Sequence, residues 1–246
     1  MSTDINKIRA KLDQLNNKNK PVKENKTKSF YKPELGKENI RIVPNKFNKD
    51  IPFTEVYFHY GINNKTICSP RNWGEKDPID EFANELRKGK DWMLAKDLDS
   101  KMRAYVPVVV RGKENEGVKL WGVGKTMYID LLNLFDNEDV GDYTDIVSGR
   151  DLIVTTVGPD TTGTTYNKST VMPKMKESPL VEDKALLKKL LNEQPSPLDL
   201  FDKYSYDEIK EMLKEHLTSS SDDEGEDVEE TPKAASGEKF EKLFKE

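Results

Sequence analysis

Residues 101–125 read KMRAYVPVVVRGKENEGVKLWGVGK, and the fold turns on how they divide. Ala104–Arg111 and Val118–Val123 are dense in β-branched and aromatic residues, with an ENEG turn between them. Two strands bounded by turn residues are the reading this pattern supports. Side chains two apart on a strand share a face. Lys101, Arg103 and Tyr105 are therefore expected to line one surface, and Lys119 and Trp121 to do so on the partner strand. Lys125 opens the helix that follows. GVGKT at residues 122–126 is a fragment of a phosphate loop without its upstream glycine spacing, so it does not argue for nucleotide binding.

Working outward, NIRIV (39–43), FTEVYFHY (53–60) and DLIVTTV (151–157) repeat the strand composition. Pro44, the segment 61–64 and Gly158–Pro159 bound them. TTYNKSTVM, around Tyr166, is a further strand candidate. Helices interrupt the strands. Pro78–Gly89 has proline in its first turn and glycine at its end, the favoured order. Lys125–Phe135 is a second helix, and ALLKKLLNEQ and SYDEIKEMLKEHL are two more, the last capped by Ser205. About five strands with inserted helices, no repeat and no βαβ rhythm predict a mainly β, α+β chain with an OB-fold-like small barrel core.

The expected organisation has four parts. Residues 1–29 form a flexible basic arm whose short helix carries Ile5, Ile8, Leu12 and Leu15 on one stripe. Residues 30–175 form the core. Residues 176–218 hold the C-terminal helices, and 219–246 form a disordered acidic tail with a terminal amphipathic peptide. Charge divides the same way. Through Met175 there are 29 Lys and Arg against 25 Asp and Glu; from Lys176 onward there are 11 against 20. SSSDDEGEDVEE (219–230) holds seven carboxylates and no cation. This asymmetry points to a polyanion-binding body with an acidic appendage.

The single cysteine, Cys68, excludes an intramolecular disulfide. The N-terminus lacks the apolar run of a signal peptide, and the longest apolar run, Val106–Val110, contains a proline. A soluble intracellular protein with no membrane partner is expected. The two histidines, His59 and His216, sit in no triad or metalloprotease spacing, so an enzyme is not expected.

Binding chemistry is better represented. Lys101, Arg103, Arg111, Lys113, Lys119 and Lys125 interleave with Tyr105 and Trp121. Cations beside aromatic platforms suit unpaired bases and their phosphates. A tethered acidic tail can compete for such a groove. An interaction adaptor without DNA affinity, using its helices and tail, stays open on the residues alone.

Two stretches carry a resemblance. NIRIVPNKFNKDIPFTEVYFHYGINNKTICSP and VPVVVRGKENEGVKLWGVGKTMYIDLLNLF resemble, in order of elements, the single-stranded DNA-binding, helix-destabilising proteins of T-even-type tailed phages. The similarity spans about Ile5 to Met172. It implies an OB-fold core that binds single strands cooperatively and without sequence preference. The setting it implies is phage replication, recombination and repair in the cytoplasm of an infected bacterial host. It also implies self-association head to tail through the N-terminal arm, and contacts with replication and recombination proteins through the acidic segment. Trp121 and Tyr166 fall where the family places stacking aromatics, Tyr105 near another, and Arg111 at a basic strand end. The family commonly binds zinc through one His and three Cys. The matching positions here are His59, Cys68, Asp77 and Asp80, so a zinc cofactor is not expected. The terminal EKFEKLFKE departs from the family's acidic end and is expected to dock a partner through Phe240, Leu243 and Phe244.

Overall fold

The computed structural model describes residues 28–219 and 240–244. The expected arm helix and most of the acidic stretch lie outside the described residues. Eight strands form one sheet: β1 (Phe30–Tyr31), β2 (Gly36–Ile42), β3 (Thr54–Ile62), β4 (Lys65–Cys68), β5 (Lys101–Val110), β6 (Lys119–Val123), β7 (Arg150–Val157) and β8 (Lys168–Glu177). The main path runs β1-β6-β5-β2-β7-β8, with β3 and then β4 branching from β5. Every pairing is antiparallel except β1 with β6.

The branch arises on β5. Its first half, Lys101–Tyr105, pairs with β3, and its last three residues pair with β2. Its other edge is taken by β6 across Ala104–Val108. A strand has two edges, so β2 and β3 must share one and then diverge. Pro107, which has no N–H to give, sits at the changeover and accepts instead from the Val43 amide (2.9 Å). The closed barrel expected from sequence is thereby corrected: among the described residues the sheet is open and branched, with edges at β1, β4 and β8.

Helices cover both faces. α1 (Pro78–Lys88) is capped by Asp77, whose side chain accepts from the Ile79 and Asp80 amides. α2 (Trp92–Leu98), α3 (Lys125–Asp136), the single turn α4 (Pro159–Thr162), α5 (Lys184–Asn192) and α6 (Tyr206–Ser219) follow. α6 opens with a capping box: Glu208 accepts from the Ser205 amide and Ser205 Oγ accepts from the Glu208 amide. A last turn, α7, covers 240–244. No helix among the described residues is long and apolar enough to cross a membrane.

Alternation along the strands splits the core. Ile40, Ile42, Val106, Val108, Trp121 and Leu152 face inward against Tyr128 and Leu131 of α3. On the opposite face, Val109 and Val43 meet Leu190 of α5, and Val56, Phe58, Tyr105 and Leu120 form a separate aromatic layer. A helical lobe of α1, α2, α6 and α7 packs around Ile62 and Ile67 from the β3–β4 hairpin. That hairpin turns on Asn63 and Asn64, both at positive φ (51° and 58°), the geometry that Asn tolerates in tight hairpins. β8 runs on through residue 177, and α5 and α6 pack onto the core.

Candidate nucleic-acid interface

A cleft of about 390 Å³ opens on the outer face where β3 and β5 run side by side. Phe58 and Tyr60 of β3 and Arg103 and Tyr105 of β5 line it. The segment Leu200–Tyr204, between α5 and α6, closes the far side. Alternation sets this arrangement. Phe58 and Tyr60 are two apart, as are Arg103 and Tyr105, so each pair shares a face. The antiparallel register Thr54↔Tyr105 and Phe58↔Lys101 makes that face common to both strands.

Rings dominate the site. Phe201 meets Phe58 edge-on at 4.8 Å and Tyr105 at 5.3 Å, and Phe30 lies 6.1 Å from Tyr105. Burial pushes the Tyr105 hydroxyl up to about 12, so it stays neutral. Arg103 is exposed at the rim and donates to the Gly122 carbonyl (3.3 Å). Lys101, also exposed, stands two residues before it on the same face. Lys125 follows β6 at the end paired with Ala104, so it joins this end of the sheet. An apolar ring surface with cations at its edge can hold an unpaired base and its phosphate.

The other expected site residues lie elsewhere. Trp121 is 4% exposed and packs in the inner core, edge-on to Tyr31 at 5.8 Å. Register is the reason. Tyr105 pairs with Gly122 and Val106 with Trp121, so Tyr105 and Trp121 point to opposite faces. Trp121 thus lies in the inner core and Tyr105, 7% exposed, in the floor of the outer cleft. Arg111 is not at liberty to meet a phosphate. Its Nε donates to Asp151 (2.8 Å) and its Nη groups to the carbonyls of Pro179 and Leu180. Lys119 pairs with Glu116 at 2.6 Å. Lys113 is exposed in the β5–β6 turn, at the far end of β5 from Lys101. Tyr166 is 65% exposed in the β7–β8 connection. Register carries that connection past the C-terminal end of β5, away from the cleft.

Phe58, Tyr60 and Phe201 were not anticipated. FTEVYFHY carries its signal in the Val-x-Phe-x-Tyr alternation of residues 56–60, an aromatic stripe on one strand face. Phe201 has no such signal, since it is placed by a connection between helices.

A family model described as gp32 DNA binding protein like matches residues 34–219. The chain belongs to this family. No curated protein matches the sequence. The match covers β2 to β8, the four strand and loop segments that line the cleft, and the helices through α6, and the gp32-like chain is thus a DNA-binding protein by family.

The zinc that such a family implies meets a poor donor set in this gp32-like chain. His59, Asp77 and Asp80 converge, with ligand atoms within 4.8 Å of one another, and Cys68 is not among them. Burial pushes the Cys68 thiol up to about 11, so it stays protonated, and it accepts from Asn72 (3.3 Å). Asp77 uses one oxygen to cap α1 and the other to accept from Ser69 Oγ while facing His59 Nε2 at 3.0 Å. His59 Nδ1 faces the Leu98 carbonyl at 2.8 Å. Both ring nitrogens thus meet acceptors, which suits an imidazolium. These groups do not fit a closed thiolate-rich zinc site; they form a hydrogen-bonded ion pair joining β3, α1 and the end of α2.

Proposed function

We propose that this chain binds single-stranded DNA without sequence preference, through the aromatic cleft between β3, β5 and the Leu200–Tyr204 segment. The observation that carries the reading is the grouping of Phe58, Tyr60, Tyr105 and Phe201 around Arg103 in a chain of the gp32-like DNA-binding family. Phe58 and Tyr105 are buried and form the cleft floor, so the half-buried rings of Tyr60 and Phe201 are the ones that stack on a base of any kind, and the phosphates then lie within reach of Arg103, Lys101 and Lys125. Binding the open strand in preference to duplex favours the open state and lowers a duplex's melting temperature. The protein acts as a cooperative, non-enzymatic coat during phage replication, recombination and repair, in the cytoplasm of the infected host. The basic arm at 1–29 links neighbouring copies, and no structural zinc is required.

The test is anisotropy of labelled oligo-dT, with duplex of equal length as competitor. Preferential binding that weakens steeply with salt is the expected result. Equal affinity for duplex, or no loss of affinity in Tyr60→Ala and Arg103→Ala, would overturn the assignment of the cleft.

A further inference from the structure

The terminal peptide was expected to be a docking element for other proteins, yet it is seated on its own chain. Phe240 is 3% exposed and meets Phe82 of α1 edge-on at 5.6 Å. Phe244 packs on Phe240 at 4.6 Å and lies 6.5 Å from Tyr206 of α6. Lys210 of α6 stands 4.9 Å above the Phe244 ring and donates to the Phe244 carbonyl (3.4 Å). Lys214, one turn further along α6, pairs with Glu241 at 3.0 Å. Leu243, the third expected anchor, is 37% exposed and points away.

A single helical turn does not hold its shape alone in water, so the groove imposes it. The contact rests on two rings on one helix face and one carboxylate between them. The chain that ties α7 to α6 runs from Ser220 to Lys239 and carries most of the acidic stretch. A tether of that length keeps the peptide near its groove at an effective concentration of about a millimolar. A contact this small is then held closed by the tether more than by its own affinity.

We propose that the groove between α1 and α6 is a binding site for amphipathic helical peptides of the form Phe-Glu-x-x-Phe, and that α7 is its tethered, exchangeable occupant. Closed, the acidic stretch is fastened at both ends. Open, it is fastened only at Ser219, and the groove and the Phe240–Phe244 face are both presented. The proposal does not depend on the DNA reading, and its test involves no DNA.

The probe is a fluorescein-labelled synthetic peptide, GEKFEKLFKE (residues 237–246), read by anisotropy against the full chain. In a full chain carrying Phe240→Asp and Phe244→Asp the groove is vacated, and the peptide is expected to bind at least tenfold tighter than to the unmodified chain. The same peptide with both Phe replaced by Asp is expected to bind neither. Equal binding of the natural peptide to vacated and unmodified chains would overturn the proposal. Hydrogen exchange on the unmodified full chain gives a second reading that needs no variant. Amides of residues 240–244 exchanging at least tenfold faster than those of Ile209 and Leu213 support a separable element. Exchange at the same rate as α6 would make α7 an integral part of the lobe and overturn the proposal.

Discussion

At the scale of single residues, packing separates side chains that looked alike in the sequence. Tyr60 is half-buried at the cleft rim, while Trp121 lies in the core. Tyr60→Ala is expected to weaken oligo-dT binding by about 1–3 kcal/mol, the worth of one stacked base, with little change in melting temperature. Trp121→Ala is expected to cost about 3–5 kcal/mol of stability, read in a thermal melt. His59 and Asp77 give a pH signature. Burial works against the His59 charge, but the hydrogen bond and charge of Asp77, with help from the Leu98 carbonyl and Asp80, outweigh it and raise the pKa. Burial likewise opposes the Asp77 charge, and His59, Ser69 and the Ile79 amide outweigh it, holding its pKa below the usual range. A raised imidazole pKa stabilises the fold fully below the unfolded value, and that contribution is lost as pH rises through the folded value. A depressed carboxylate pKa stabilises above the unfolded value and is lost as pH falls through the folded one. The pair therefore contributes most between about pH 4 and 6.5. Melting temperature is expected to decline as pH rises beyond that window, and His59→Gln is expected to flatten the decline. A wild-type profile as flat as the variant's would contradict the ion pair.

At the scale of elements, the cross-strand pair Tyr105↔Gly122 holds the cleft floor in place. A Cβ added at Gly122 would lie 2.7 Å from Tyr105 Cε1, so the ring would have to move. Gly122→Ala is expected to cost about 1–3 kcal/mol of stability through overpacking and to weaken oligo-dT binding as well. Unchanged melting and binding would show that the ring is not held there. Most elements are legible in the sequence: β5, β6, β7, α1, α3 and the Ser205 cap follow from composition and punctuation. The face that each ring occupies is not. The β5–β6 turn sets whether Tyr105 opposes Gly122 or Trp121, and a slip of one residue exchanges the faces. Nor could local pattern reveal that Arg111 meets Asp151, since that partner comes from β7, two strands and a helix further along the chain.

At the scale of the whole molecule, electrostatics divides the basic residues into those that can bind phosphate and those that brace the fold. Lys101, Arg103 and Lys125 gather at one end of β5, while Asp151 engages both Arg41 and Arg111. Three phosphate contacts on a single strand predict a slope of about −2 in log affinity against log salt. Arg103→Ala is expected to make that slope shallower by about 0.7, whereas Arg111→Ala is expected to leave it unchanged and lower the melting temperature. A shallower slope in Arg111→Ala would return that residue to the interface. The long reach of the sheet also has a consequence in time. β2 needs β7 along one edge, and Arg41 needs Asp151, which follows it by 110 residues. A ribosome adding about 5–20 residues per second takes on the order of ten seconds to cover that interval. Through those seconds β2 has an open edge beside Ile40 and Ile42, so the nascent chain is most exposed to aggregation while the ribosome is still building the helices and strands that lie between.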